Sequence, residues 1–264
     1  MGVSVNERLK VNYMNQKIIA LTGAIVLSLV CSASAAEKIN TLIISGDDVG
    51  AHPWRLTQEE YRNMLLDTGK FDVRISEDMN ILESAKALAK YDLIFFVRAN
   101  VSNEPLSDQA KANLEYFVGN GKGLVINHMA SGSFPEWLEF KKMCGIYWSP
   151  KDGSGHAPGT YVFDVTVRNQ DHPITKGMET FQADDELYSA LVVTPGVDFD
   201  ILVTGKTTFK GREGLDEPLA ITLDYGKGRV FHQFFGHDKK ALEREGVIKL
   251  IQRGSEWAAT GSVE

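Results

Sequence analysis

Cysteine is nearly absent: the 264-residue chain has two, Cys31 and Cys144. Cys31 falls in an apolar N-terminal stretch. The rest of the chain therefore holds one thiol and no intrachain disulfide, even in an oxidising compartment. Runs of Lys and Arg are missing too. With 28 basic against 35 acidic residues the net charge is −7. An acidic surface without basic patches excludes nucleic acid as a partner, because phosphates demand clustered cations. It also gives anionic membranes nothing to attract. There is no GxGxxG, no P-loop, no HExxH and no G-x-S-x-G elbow, which removes the motif-based case for dinucleotide binding, nucleotide hydrolysis, zincin chemistry and serine hydrolysis. No internal repeat or low-complexity segment follows the first 35 residues, so a solenoid is excluded.

What is present begins with a leader pattern. Lys17 precedes the apolar run Ile18–Val30, and Ala33 and Ala35 follow in A-x-A spacing. A basic start, an apolar centre of this length and small residues at the end describe a secretory signal peptide over 1–35, with periplasmic or secreted location and no stable membrane association after cleavage. The run is short for a bilayer span. Met14 stands where a natural start would be, so residues 1–13 read as an over-called start. Residues 36–264 then form a single domain of ordinary size. The leader is net basic (Arg8, Lys10 and Lys17 against Glu7), which leaves the remainder more acidic, about −9.

Strand-like and helical patterns alternate through the first half. Apolar runs predict strands at Ile39–Gly46, Tyr91–Val97 and within "GLVIN", and Phe71–Ser76 alternates. Thr57 with Glu60, and Ser133 with Glu136 behind Pro135, have capping-box spacing, while Ser107 reads as an N-cap. The second half is richer in strands ("TYVFDVTVR", "FDILVTGKT", "EPLAITLDYG", "GRVFHQFFG") and closes on a helix, "KKALEREGVIKLIQRGSEWA". The expectation is an α/β fold with a mostly parallel central sheet covered on both faces.

In such sheets ligands bind at the carboxyl ends of the strands. The first strand leads to Asp47, Asp48, His52, Trp54 and Arg55. The third leads to Arg98 and Asn100, and the fourth to Asn127 and His128. The last leads to His237 and Asp238. Three of the six histidines thus fall on one predicted edge. "QADDELY" adds Asp184, Asp185 and Glu186, either a solvated loop or carboxylates facing the imidazoles. His156 lies in the glycine-rich "GSGHAPG", whose role is open. His172 reads as a turn residue and His232 as structural. Trp54, Trp137, Trp148 and Tyr188 are candidate flat surfaces for a sugar ring.

The pieces "HPWR", "YDLIFFV", "GKGLVINHMA", "WLEFKKMCG", "DHPITKG", "DELY" and "GKGRVFHQFFGHD" together resemble, in order, the ThuA-like family, named for trehalose utilisation. The resemblance runs from about Thr41 to Trp257. It implies a flavodoxin-like sandwich of the class I glutamine amidotransferase type. "LVINHMA" is similar to the strand-to-helix elbow that carries the amidotransferase cysteine, with His128 in the nucleophile's place, and "VFHQFFGHD" resembles the strand that brings its histidine, with His237 as the match. Cys144 lies a helix later, so glutamine hydrolysis, which needs a thiolate, is not expected.

The resulting expectation is a carbohydrate-active protein whose partner is a small sugar, a disaccharide or keto-sugar. His128 and His237 act as general base and acid, Glu186 or Asp185 orients an imidazole, and His52, Trp54, Arg55 and Asn127 bind substrate. The reaction would be of isomerase, lyase or hydrolase type. No cofactor is assigned, since no two histidines have tight ligand spacing; a divalent metal held by His52, His128, His237 and Glu186 is the alternative. A sugar-binding module without catalysis is another, and a homodimer is left open.

Overall fold

The computed structural model describes residues 37–99 and 105–264. The leader, Cys31 and Asn100 lie outside the described residues. Glu37–Glu264 forms one compact unit.

Each apolar run becomes a strand. In chain order these are β1 Ile39–Ile44, β2 Phe71–Ser76, β3 Leu93–Phe96, β4 Gly123–Asn127, β5 Ile146–Tyr147, β6 Tyr161–Val167, β7 Phe181–Asp185, β8 Val192–Val193, β9 Asp200–Lys206, β10 Asp216–Tyr225 and β11 Gly228–Gln233. The helices are α1 Trp54–Leu66, α2 Ala85–Leu88, α3 Asp108–Gly119, α4 Leu138–Cys144 and α5 Glu245–Thr260. Nine strands form one sheet in the order β2-β1-β3-β4-β11-β10-β9-β6-β7, and β5 and β8 pair separately. From β2 to β11 all pairings are parallel, and from β11 to β7 all are antiparallel. The parallel half is the one the alternating first half of the sequence predicts. The antiparallel half is built from the strand-rich second half, where short turns such as Gly226–Lys227 leave no room for a crossover helix.

Period-2 geometry sends neighbouring residues of one strand to opposite faces. Ile43, Phe95, Val125 and Phe231 pack with Tyr61 and Leu65 of α1 and Leu250 and Ile251 of α5. Ile44, Phe96, Ile126 and Val230 pack with Leu114 and Phe117 of α3 and Phe140 and Met143 of α4. Continuous apolar strands follow from a sheet covered on both sides. Cys144 is fully buried in the second cluster, and burial pushes its thiol up, which suits a packing residue.

Ser107 caps α3 as its spacing predicts, accepting from Ala110 N at 3.0 Å. Two other expected caps do not form. α1 starts three residues before Thr57, directly after Pro53, whose fixed φ suits a helix entrance. Ser133 donates to the Arg98 carbonyl at 3.0 Å. Phe134 then takes φ +51, so the chain enters α4 only at Leu138. The sheet end had a prior use for that hydroxyl.

His232 is structural, as its place in an alternating strand predicts. It is fully buried, with Nδ1 2.8 Å from the Cys144 carbonyl oxygen. Burial pushes its pKa down to about 4, against about 6.5 in an unfolded chain. The neutral ring's contribution is complete above pH 6.5 and is lost as pH falls towards 4, about 3 kcal/mol over that window. Urea melts of wild type and His232→Gln between pH 7.5 and 4.5 should therefore diverge, the variant showing the shallower acid slope. Parallel slopes would refute this source of acid sensitivity.

Candidate metal centre

Parallel strands end at the same edge, so the exits of β1, β4 and β11 share one edge, with β3 between β1 and β4. β1 exits through Asp47, in a left-handed conformation (φ +71), to His52. β4 hands over directly to His128, itself at φ +49. An imidazole held in this conformation at a strand exit is an uncommon feature for a residue with a Cβ, and such strain collects at functional positions. β11 exits through Gly236 to His237. Gly236 has φ +118, and a Cβ there would collide with the Tyr61 hydroxyl. Only glycine lets the chain pass that close.

The fourth side chain comes from the far end of the sheet. Asp184, Asp185 and Glu186 are all buried, so the three acids are no solvated loop. Asp185 turns into the fold and accepts from Gly236 N at 2.6 Å, Glu186 N at 2.8 Å and His237 N at 3.2 Å. These bonds tie the end of β7 to the exit of β11 and set Glu186 against the imidazoles. Asp185 thus holds backbone, not an imidazole. Burial pushes its carboxyl up to about 7, against the pull of those three N–H groups.

Three imidazole nitrogens and one carboxylate oxygen converge. His52 Nε2 lies 3.2 Å from His128 Nε2 and 3.1 Å from His237 Nδ1. Glu186 Oε2 lies 3.1 Å from His237 Nδ1 and 3.6 Å from Nε2 of both His52 and His128. All four ligand atoms fall within 4.8 Å of one another. A tetrahedral ion with bonds of 2.0–2.1 Å needs edges of about 3.3–3.4 Å, and the five distances bracket that value.

Proton accounting favours a cation. The Phe234 carbonyl lies 2.7 Å from His128 Nδ1 and can only accept, so Nδ1 carries the hydrogen and Nε2 offers a lone pair to the centre. Burial pushes His128 down to about 4, which keeps it neutral, the form that ligates. His52 Nδ1 and Glu186 Oε2 are buried with no hydrogen-bond partner among the described residues. Burial works to raise the Glu186 carboxyl, and the approach of His128, His237 and His52 outweighs it, leaving it well below the usual carboxylate range. Glu186 in turn raises His237. A negative, lone-pair-rich, largely desolvated cluster is what a divalent first-row metal satisfies.

Beside the centre lies an aromatic wall. Tyr188 stacks on His128 with centroids 4.5 Å apart and packs at a tilt against Trp148 at 4.3 Å. His156, from the glycine-rich segment, packs near both, with Nε2 3.7 Å from Glu186 Oε1. A small hollow, open to solvent, adjoins the centre, lined among others by Asp47, His52, Trp54, Asn127, His128 and Gly236.

Of the residues singled out from sequence, His52, His128, His237 and Glu186 meet, with Asp185 directly behind them. Trp54 reaches the hollow. Arg55 lies at the surface, donating to Asp48 at 2.9 Å and covering the Trp54 ring. Asn127 is below the hollow with its amide already engaged, donating to Tyr61 Oη at 2.7 Å and accepting from Gln233. Trp137 belongs to the core around Phe134 and Phe140. His172 shapes its turn, accepting from Ile174 N. Tyr188 and His156 are closer to the centre than sequence reasoning placed them. The signal for Tyr188 was its position two residues beyond Glu186.

Residues 40–258 match the family model described as ThuA, trehalose utilisation. A ThuA-like protein from Parabacteroides merdae has a similar structure, with 28% identity, 86% of this chain and 92% of that chain covered, and a TM-score of 0.74. A second, from Bacteroides uniformis, gives 19% identity, 87% and 96% coverage and a TM-score of 0.68. A protein from Thermoplasma acidophilum, described as part of a GMP synthase, shares the fold at 10% identity, with 86% and 97% coverage and a TM-score of 0.52. A search of curated proteins returns no match. With the family model spanning most of its length, and ThuA-like structures sharing its α/β, amidotransferase-like fold, the chain belongs to the ThuA (trehalose utilisation) family.

Proposed function

We propose that this ThuA-family protein is an exported, divalent-metal-dependent enzyme acting on a disaccharide or keto-sugar. The observation that carries the reading is the convergence of His52, His128, His237 and Glu186 within 4.8 Å, with His128 Nε2 free of its proton. The metal supplies Lewis-acid polarisation of a sugar carbonyl or hydroxyl oxygen. The chain's own residues do the rest. Trp148 and His156, part-exposed with Tyr188 packed beside them, offer a flat surface to a sugar ring, and Trp54 lines the hollow. The hollow is small and open to solvent, so it would take the edge of one sugar ring and not a whole disaccharide. His156, next to Glu186 and part-exposed, is placed to move a proton at carbon or oxygen beside the polarised group. The Asn127 amide is engaged by Tyr61 and Gln233, and Arg55 by Asp48 and Trp54, so neither is assigned a substrate contact in this reading. Export rests on the leader pattern at 1–35, and N-terminal sequencing of protein from the cell envelope tests it.

Elemental analysis of protein purified without chelator should find close to one first-row metal per chain. Chelation should lower the melting temperature, because an ion at a hundredfold its Kd stabilises by about 2.7 kcal/mol. Metal-free protein should not turn over 3-keto disaccharides. Absence of metal together with indifference to chelators would sink the proposal.

A second reading has a specific observation behind it: His128 and His237 are shifted in opposite directions, the arrangement of a metal-free base and acid pair. Turnover that persists after exhaustive chelation would favour it. Saturable sugar binding without product in either state would point to a non-catalytic module.

A further inference from the structure

We propose that Tyr188 is a catalytic residue of this centre: its hydroxyl donates to the oxygen, of water or of substrate, that completes the coordination of the bound metal. The inference rests on the metal-centre reading above and concerns a fifth ligand, beyond the four positions that the protein fills.

Tyr188 is 2% exposed, and Oη lies 3.0 Å from His128 Nε2. This is its only hydrogen bond among the described residues. Since His128 Nδ1–H is committed to the Phe234 carbonyl, Nε2 has no hydrogen and Tyr188 must be the donor. Because the two rings are stacked, that proton approaches Nε2 from the ring face and leaves the in-plane lone pair open to a metal. When an ion takes that lone pair, the Tyr188 hydroxyl loses its acceptor while remaining buried, and a buried hydroxyl without a partner is costly. Its ring cannot swing away, being packed against His128 and Trp148. Oη, 3.0 Å from the nitrogen that the ion would take, is near enough for a coordinated oxygen to accept from it. The four protein ligands come from the β1, β4, β7 and β11 exits, and the tyrosine wall borders the cluster from the side of His128. The donor thus waits where charge builds up on a coordinated oxygen, an oxyanion-type arrangement.

The test uses cobalt(II) as the metal and acetate as an oxygen-donor probe, read by the visible absorption of the loaded protein. Tyr188→Phe keeps the ring on His128 and Trp148. The in-plane lone pair of Nε2 is as open in the variant as in wild type, so cobalt affinity should stay level. Acetate should bind the cobalt-loaded variant about tenfold more weakly than the loaded wild type, since a donor to a charged oxygen is lost. A structural role for the hydroxyl would instead lower cobalt affinity, and that result overturns the proposal. Equal acetate affinity overturns it as well. If wild type binds no cobalt, the metal-centre reading fails first and this assignment falls with it.

Discussion

Replacing His128 by alanine is expected to lower affinity for a divalent metal by two to three decades and to abolish turnover, while the melting temperature of the metal-free protein changes little. The size follows from the ligand count. A four-ligand protein site is worth about 10–16 kcal/mol, so one ligand accounts for roughly 3–4 kcal/mol, or a factor of several hundred. Stability shifts little because two effects oppose. Alanine leaves the Phe234 carbonyl without its partner, at a cost of about 1–3 kcal/mol, but it also empties a crowded cluster in which three imidazoles and a carboxylate meet without a cation. The left-handed backbone at His128 is as strained for alanine as for histidine, so nothing is gained there. His156→Ala is the control: its nitrogen is 3.7 Å from the other carboxylate oxygen and outside the four-atom cluster, so metal affinity should hold within about threefold. Competition titration with a chromophoric zinc chelator measures both. Unchanged affinity for His128→Ala would remove it from the coordination sphere, and unchanged turnover would remove it from the mechanism.

The parallel half of the fold was readable because its strands are continuous apolar runs separated by helical patterns, each with a breaker at its end. The rule that strand exits gather on one edge then located His52, His128 and His237 without any contact information. Glu186 was harder. Its strand is the last in a nine-strand order and lies four places from β11. What ties it to the β11 exit is three backbone hydrogen bonds to one buried carboxylate, and these leave no periodic mark in sequence. "ADDE" reads as surface because three acids in a row ordinarily stay in water. The four-residue cluster leaves no local motif either: its members are 76, 58 and 51 residues apart along the chain, so the spacing rules that find local metal motifs have nothing to match. The failed caps teach something similar. Ser133 has the right residue type and spacing, but a long-range acceptor on the β3 exit outcompetes a local one.

Asp185→Ala should then be the most damaging change at a residue that touches no ligand atom. Three N–H groups, of Gly236, Glu186 and His237, would lose their acceptor. Each stranded buried donor costs about 1–3 kcal/mol. Relief of a buried carboxyl offsets part of that sum, so the net loss of stability should be about 1–3 kcal/mol. The larger effect falls on the centre. Glu186 and His237 are the two cluster members whose backbone Asp185 holds, and their side chains are 3.1 Å apart. Releasing both should weaken metal binding about a hundredfold, the upper end of what supporting groups usually contribute. Asp185→Asn keeps one acceptor oxygen for Glu186 N and His237 N but turns an amide N–H towards Gly236 N, so it should fall between alanine and wild type, about tenfold down. Glu186→Gln separates the two roles: it should weaken metal binding as strongly as Asp185→Ala while leaving the urea midpoint of the metal-free protein nearly unchanged. If Asp185→Ala unfolds more easily yet binds zinc as tightly as wild type, then the carboxylate serves the sheet alone and the ligand loops hold their own geometry.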